Sequence, residues 1–136
     1  QSALQDLASG LPNVHFLGQM DFHALQNLYR HALITIMPSL MIETFGYIWL
    51  ESLAMKTPVI ARNVEPLSDF ITAHQGGVLF NTSDDLHTAI TMIATDTHQR
   101  QAYAEQGYNA IKSIYRKSAH LTQYFDIIQR LRSRKA

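Results

Sequence analysis

The chain has 136 residues, 46% of them hydrophobic and 16% charged, with no cysteine. That is the length and composition of one folded domain, and it excludes disulfide scaffolds, thiolate metal centres and thiol catalysis. The net charge is zero but unevenly spread: residues 1–111 hold four bases and ten acids, a net −6, and residues 112–136 hold seven bases and one acid, a net +6.

In chain order, Gln1 to Ser9 reads as the end of an amphipathic helix, with Leu4, Leu7 and Ala8 on one face and Gly10 as a left-handed C-cap. Val14-His15-Phe16-Leu17 is a short apolar run ended by Gly18, and reads as a first strand. Asp21 is a good N-cap for a helix through about His31. Ala32 to Met37 is rich in β-branched residues and stopped by Pro38, a second strand. A helix from about Gly46 to Met55 leads to a third strand at Pro58–Ala61. Pro66 to Thr72 suits a short helix and Gly77–Phe80 a fourth strand. Three helices close the chain: Asp84 to Thr95, His98 to Tyr115, and Ser118 onward.

Short apolar strands separated by helices imply a parallel sheet covered on both faces, an α/β, Rossmann-like doubly wound arrangement with a helical C-terminus. No repeat or linker divides the chain. It reads as one domain truncated at its N-terminus, with a sheet edge left open there. No apolar run reaches the ~20 residues of a membrane span, and no basic segment leads into an apolar stretch at the N-terminus. Neither a membrane-spanning protein nor a plain secretory precursor is expected, and the lack of cysteine fits a reducing, cytoplasmic setting.

The chemistry concentrates in Pro38 to Ala54. Ligands of open α/β sheets bind beyond the carboxyl ends of the strands, and here a strand ends at Pro38 and a loop leads to Gly46 at a helix start. The first turn of such a helix offers backbone N–H groups and the positive end of its dipole, which suits a phosphate. Glu43 precedes the turn and Glu51 follows Gly46 by five residues, about 7.5 Å along the axis. A carboxylate accepts from two hydroxyls of a diol such as ribose. Hydroxyls at both ends with phosphate between is the layout of a nucleoside diphosphate sugar. The competing reading makes Glu43 a loop cap and Glu51 a solvated helix residue.

Glu43-Thr44-Phe45-Gly46 through Glu51-Ser52-Leu53-Ala54, followed by Thr57-Pro58-Val59-Ile60-Ala61, resembles the E-x7-E region of retaining glycosyltransferases of family 4, which have the GT-B fold. Leu11–Gly18 upstream, and Gly76–Phe80 with Asp84-Asp85-Leu86 downstream, extend the resemblance over roughly residues 1–115. It implies that residues 1–136 are part of the C-terminal, donor-binding domain of such an enzyme, with the first strands and the acceptor domain lying upstream. Glu43 would hold the donor sugar and act as the catalytic carboxylate, beside backbone groups of Phe45 and Gly46. Backbone N–H groups of Tyr47 and Ile48 would meet the diphosphate, Glu51 the ribose, and Gly18, Gln19 and Met20 the base. The donor would be a UDP- or GDP-sugar, with no prosthetic group and no metal. The family's Arg/Lys pair for the diphosphate would also lie upstream, so the isolated chain is expected to be inactive.

The loop after the third strand departs from the family's Gly-Gly pair, reading Asn63-Val64-Glu65-Pro66-Leu67. Pro66 removes a donor and Glu65 repels phosphate, so no phosphate contact is assigned there. Of the bases present, Lys56 lies at the far end of the helix from Gly46, and Arg62 reads as a solvated residue at the strand end with the cleft within reach. The seven histidines show no metal-ligand spacing. Trp49 reads as core, and Tyr103, Tyr108, Tyr115, Tyr124 and Phe125 as helix packing. Arg130, Arg132, Arg134 and Lys135 suit either a solvated end or peripheral contact with anionic lipid. The alternative function is a non-catalytic Rossmann-like binding or scaffold module whose basic tail docks onto a partner. A receiver-like signalling domain would need an acidic cluster after the first strand, where only Asp21 stands.

Overall fold

A computed structural model describes residues 2–41 and 46–133. Two helices, α1 (Ser2–Leu7) and α2 (Phe22–His31), precede a parallel β-α-β-α-β unit: β1 (Thr35–Met37), α3 (Tyr47–Ala54), β2 (Val59–Arg62), α4 (Leu67–His74) and β3 (Gly77–Phe80). Helices α5 (Ser83–Thr95), α6 (Thr97–Ile114) and α7 (Lys117–Ser133) complete the chain. The sheet order is β1-β2-β3, with Thr35 opposite Val59, and Val59 opposite Gly77.

Alternation along β2 explains why both faces are covered. Val59 and Ala61 point to one side, where Met37, Trp49, Leu53, Leu67, Phe70, Ile71 and Ala110 form a core beneath α3, α4 and α6. Ile60 points to the other, joining Phe80, Ala89 and Ile93 beneath α5. A strand buried on both faces must be continuously apolar, and Val59-Ile60-Ala61 is. Leu53, Val59, Ile60 and Ile93 are each 0% exposed, and full burial of such a side chain contributes about 1.5–3 kcal/mol. Trp49 is core as expected, its ring 4.7 Å from that of Phe70.

The sheet has three strands among the described residues, one fewer than the sequence suggests. Val14–Leu17 is irregular, and Val14, Phe16 and Leu17 are exposed. An apolar run becomes a strand only with a neighbour to complete its hydrogen-bond ladder, and no described segment pairs with it. β1 is also shorter than the Ala32–Met37 run, for a related reason: β2 pairs only with Thr35 to Met37. The helices fall within a few residues of expectation. Asp21 caps α2, its Oδ1 accepting from the Ala24 N–H at 2.9 Å, and Gly10 is left-handed at φ +85°. Helix α1 stops at Leu7, with Leu4 and Leu7 exposed.

Candidate donor-binding site

Helix α3 begins at the carboxyl end of the sheet. Its N-cap, Gly46, has φ 72° and ψ 70°, a left-handed conformation that a side chain would strain. Tyr47 and Ile48 follow in the first turn with exposed side chains. Beside this turn, Met37 and Ser39 from the end of β1, Trp49 from α3, Arg62 from the end of β2, and Val64 to Leu67 leading into α4 line a cleft. The concavity therefore lies beyond the strands' carboxyl ends, as expected for an open α/β sheet.

Glu51 is half-buried on α3, one residue from the fully buried Ser52. Its Oε2 receives the Tyr29 hydroxyl of α2 at 3.5 Å. Burial of Tyr29, and then the Glu51 charge and hydrogen bond, raise the phenol pKa above its ordinary value. Glu51 is thus not a freely solvated helix residue. Behind the pair lies a buried polar chain. Thr57 Oγ1 donates to the Tyr29 carbonyl at 2.5 Å, and Ser52 Oγ donates to the Thr57 carbonyl at 2.9 Å. Ser52 Oγ also shares a hydroxyl–hydroxyl bond with Thr35 Oγ1 at 2.8 Å. These contacts lock α2, α3 and β1 together, because breaking one would leave a polar group buried and unsatisfied.

Gly18, Gln19 and Met20 sit in the turn before α2, Gly18 at φ +67°. With His15, Phe16, Leu17, Leu25 and Leu28 they line a second, open concavity that shares no residue with the first. Sequence reasoning put Gly18–Met20 and Glu51 at one ligand, and α2 is the element that connects them, through Tyr29. Glu43 and Phe45 lie outside the described residues, as do Arg134 and Lys135.

Two cations take up other work. Lys56 ion-pairs with Glu105 of α6 at 2.6 Å and lies 4.9 Å from the Tyr108 ring centre, far from the first turn of α3. Arg62 is half-buried rather than solvated: its Nη1 donates to the Asn81 carbonyl at 3.1 Å, and its guanidinium lies 5.0 Å from the Phe80 ring centre. Its Nε is buried without a hydrogen-bond partner among the described residues. Sequence reasoning missed Tyr29 altogether, since a tyrosine on the inner face of an amphipathic helix gives no sign of where its hydroxyl ends.

Residues 3–110 match the family described as glycosyl transferases group 1. The chain belongs to that family. Among curated relatives of this glycosyltransferase domain is the GDP-mannose-dependent alpha-(1-6)-phosphatidylinositol dimannoside mannosyltransferase of Mycobacterium tuberculosis, 33% identical over 104 residues, 74% of this chain and 27% of that protein. The sulfoquinovosyl transferase of Arabidopsis thaliana is 32% identical over 101 residues, 72% of this chain and 19% of its own length. In three dimensions the domain superposes on sucrose-phosphate synthase from Thermosynechococcus elongatus with a TM-score of 0.81 and 26% identity, covering 97% of this chain and 33% of the synthase. The Rossmann-like architecture of a GT-B domain is therefore shared, and the chain spans between a fifth and a third of the proteins it matches. Among the described residues no helix is long and apolar enough to cross a membrane.

Proposed function

We propose that this glycosyltransferase domain is the C-terminal, donor-binding half of a family 4 enzyme that transfers a sugar from a UDP- or GDP-sugar with retention of anomeric configuration. The observation that carries the reading is Gly46: a left-handed glycine that starts α3 at the carboxyl end of the sheet, with the half-buried Glu51 carboxylate on the same helix. A glycine there lets a ligand approach the backbone, and the first turn that follows favours an anion.

In this reading the diphosphate meets the backbone N–H groups of Tyr47 and Ile48, and Glu51 accepts from the ribose hydroxyls. The base lies toward Gly18, Gln19 and Met20. Glu43, with Phe45 and Gly46 beside it, orients the sugar and favours positive charge at the anomeric carbon. In transfer, the bond from that carbon to the diphosphate oxygen breaks and a bond to an acceptor hydroxyl forms on the same face, the hydroxyl proton passing to the leaving phosphate. Negative charge grows on the diphosphate as the bond breaks, so groups that stabilise it there lower the barrier. The α3 dipole supplies part of that stabilisation. The rest, and the acceptor site, belong to residues outside these 136, so the isolated chain would bind a nucleotide without turnover. A cytoplasmic location, with basic residues of the C-terminus near a membrane surface, fits the cysteine-free sequence and its charge split.

A thermal-shift screen of the protein against UDP, GDP, ADP and their sugar conjugates is the first test. One base series should raise the melting temperature, and no shift with any of them would overturn the reading. With the nucleotide so found, Glu51→Ala should cost roughly 1.5–3 kcal/mol of binding, the range for a hydrogen bond to a charged group. Equal affinity of variant and parent by calorimetry would remove Glu51 from the ribose site.

A further inference from the structure

A glutamate that grips a sugar hydroxyl faces an entropic obstacle, because its side chain must be fixed about several bonds before its oxygens point usefully. Enzymes and binding proteins reduce this cost by holding the carboxylate in place beforehand with a neighbouring group. Among the described residues, Glu51 has one candidate for that task. The Tyr29 hydroxyl reaches Oε2, while Oε1 meets no protein donor among the described residues. At 3.5 Å the contact is longer than a tight O–H···O bond, and a carboxylate that accepts one such bond still has lone pairs on both oxygens for a ligand.

Tyr29 is itself firmly placed. It is 6% exposed, and its carbonyl is held by Thr57 Oγ1. The same buried chain reaches Ser52, the residue next to Glu51 on α3. Donor and acceptor therefore sit on two helices fastened to each other directly behind them, which fixes the hydroxyl relative to the carboxylate. Burial and the carboxylate both favour the neutral phenol, so the donor proton is present across the whole neutral range.

We propose that Tyr29 is a positioning residue of the nucleotide site: its hydroxyl holds Glu51 Oε2 so that the other oxygen is presented to the ribose hydroxyls of a nucleoside diphosphate. This rests on the ribose role proposed for Glu51. The competing explanation is that Glu51 merely satisfies a buried phenol, with no bearing on ligand.

The test is calorimetric titration of the parent protein, Tyr29→Phe and Glu51→Ala with GDP, UDP or ADP, whichever binds, and with its 2′,3′-dideoxy counterpart. Tyr29→Phe keeps the buried ring and removes one oxygen. It should weaken the ribonucleotide roughly three- to tenfold, the size of one hydrogen bond, and leave affinity for the dideoxynucleotide equal to the parent's. A structural role alone would weaken both nucleotides equally, and that result overturns the proposal. If Glu51→Ala weakens the ribonucleotide but Tyr29→Phe does not, this inference falls and the ribose role stands. If neither variant changes it, or the parent binds no nucleotide, both fall.

Discussion

Gly107 on α6 shows how much can turn on one missing methyl. A Cβ there would lie 2.6 Å from Leu53 Cδ2 and 3.0 Å from the Gly76 Cα, so α6 packs directly on the turn before β3. Two effects oppose each other in Gly107→Ala. Alanine gains about 0.8–1 kcal/mol over glycine in a helix interior, whereas overpacking a filled core costs about 1–3 kcal/mol. Leu53 is 0% exposed and Gly76 offers only backbone, so neither neighbour has room to yield and the clash should win. The expected outcome is a melting temperature several degrees below the parent's. An unchanged or higher value would mean that Leu53 finds another rotamer. Gly46 and Asp21 were legible in the sequence because their roles are local: a turn into a helix and a cap on one. Gly107 and Tyr29 were not, since Gly107 meets Leu53 and Gly76, 54 and 31 positions away, and Tyr29 meets Glu51, 22 positions away, and only the fold brings them near.

Helix α5 shows the same contrast for a whole element. Its existence follows from sequence periodicity, but a reciprocal cap at Thr82 starts it at Ser83, one residue before the Asp84 expected. Thr82 Oγ1 accepts from the Asp85 N–H at 3.1 Å, and Asp85 Oδ2 accepts from the backbone N–H of Thr82 at 2.9 Å and of Asn81 at 3.0 Å. The pattern Thr-x-x-Asp is a short version of the capping box. Those backbone donors hold the Asp85 carboxyl below its ordinary pKa. A depressed carboxylate stabilises the folded state fully above its unfolded value of about 3.9, and that contribution is lost as pH falls through the folded value. Asp85→Asn should therefore lower the melting temperature at pH 7, and the gap to the parent should narrow steadily below about pH 4. A gap that stays constant from pH 7 to pH 2 would show that the charge on Asp85 contributes nothing.

At the scale of the molecule, fold class was legible because short apolar runs alternate with helical stretches, and β2 is apolar at successive positions as a doubly covered strand must be. The number of strands was not, because Val14–Leu17 looks the same whether or not a ladder neighbour exists. The extent of the stable unit was equally hidden. Helix α7 carries apolar residues at Leu121, Tyr124, Phe125, Ile127, Ile128 and Leu131, all of them exposed, and neither core cluster contains a residue beyond Ile111. The last aromatic to reach the core is Tyr115, whose ring stands 6.4 Å from that of Trp49. If stability follows buried apolar area, a chain ending at Arg116 keeps nearly all of it, and its melting temperature should fall within about 3 °C of the parent's, less than the shift from 1 kcal/mol in many domains of this size. Scanning calorimetry of the two chains decides the matter. A drop of ten degrees or more, or loss of a single cooperative transition, would mean that α7 stabilises the fold through contacts other than core burial. A small change would assign α7 to another role, outside the stability of this glycosyltransferase domain.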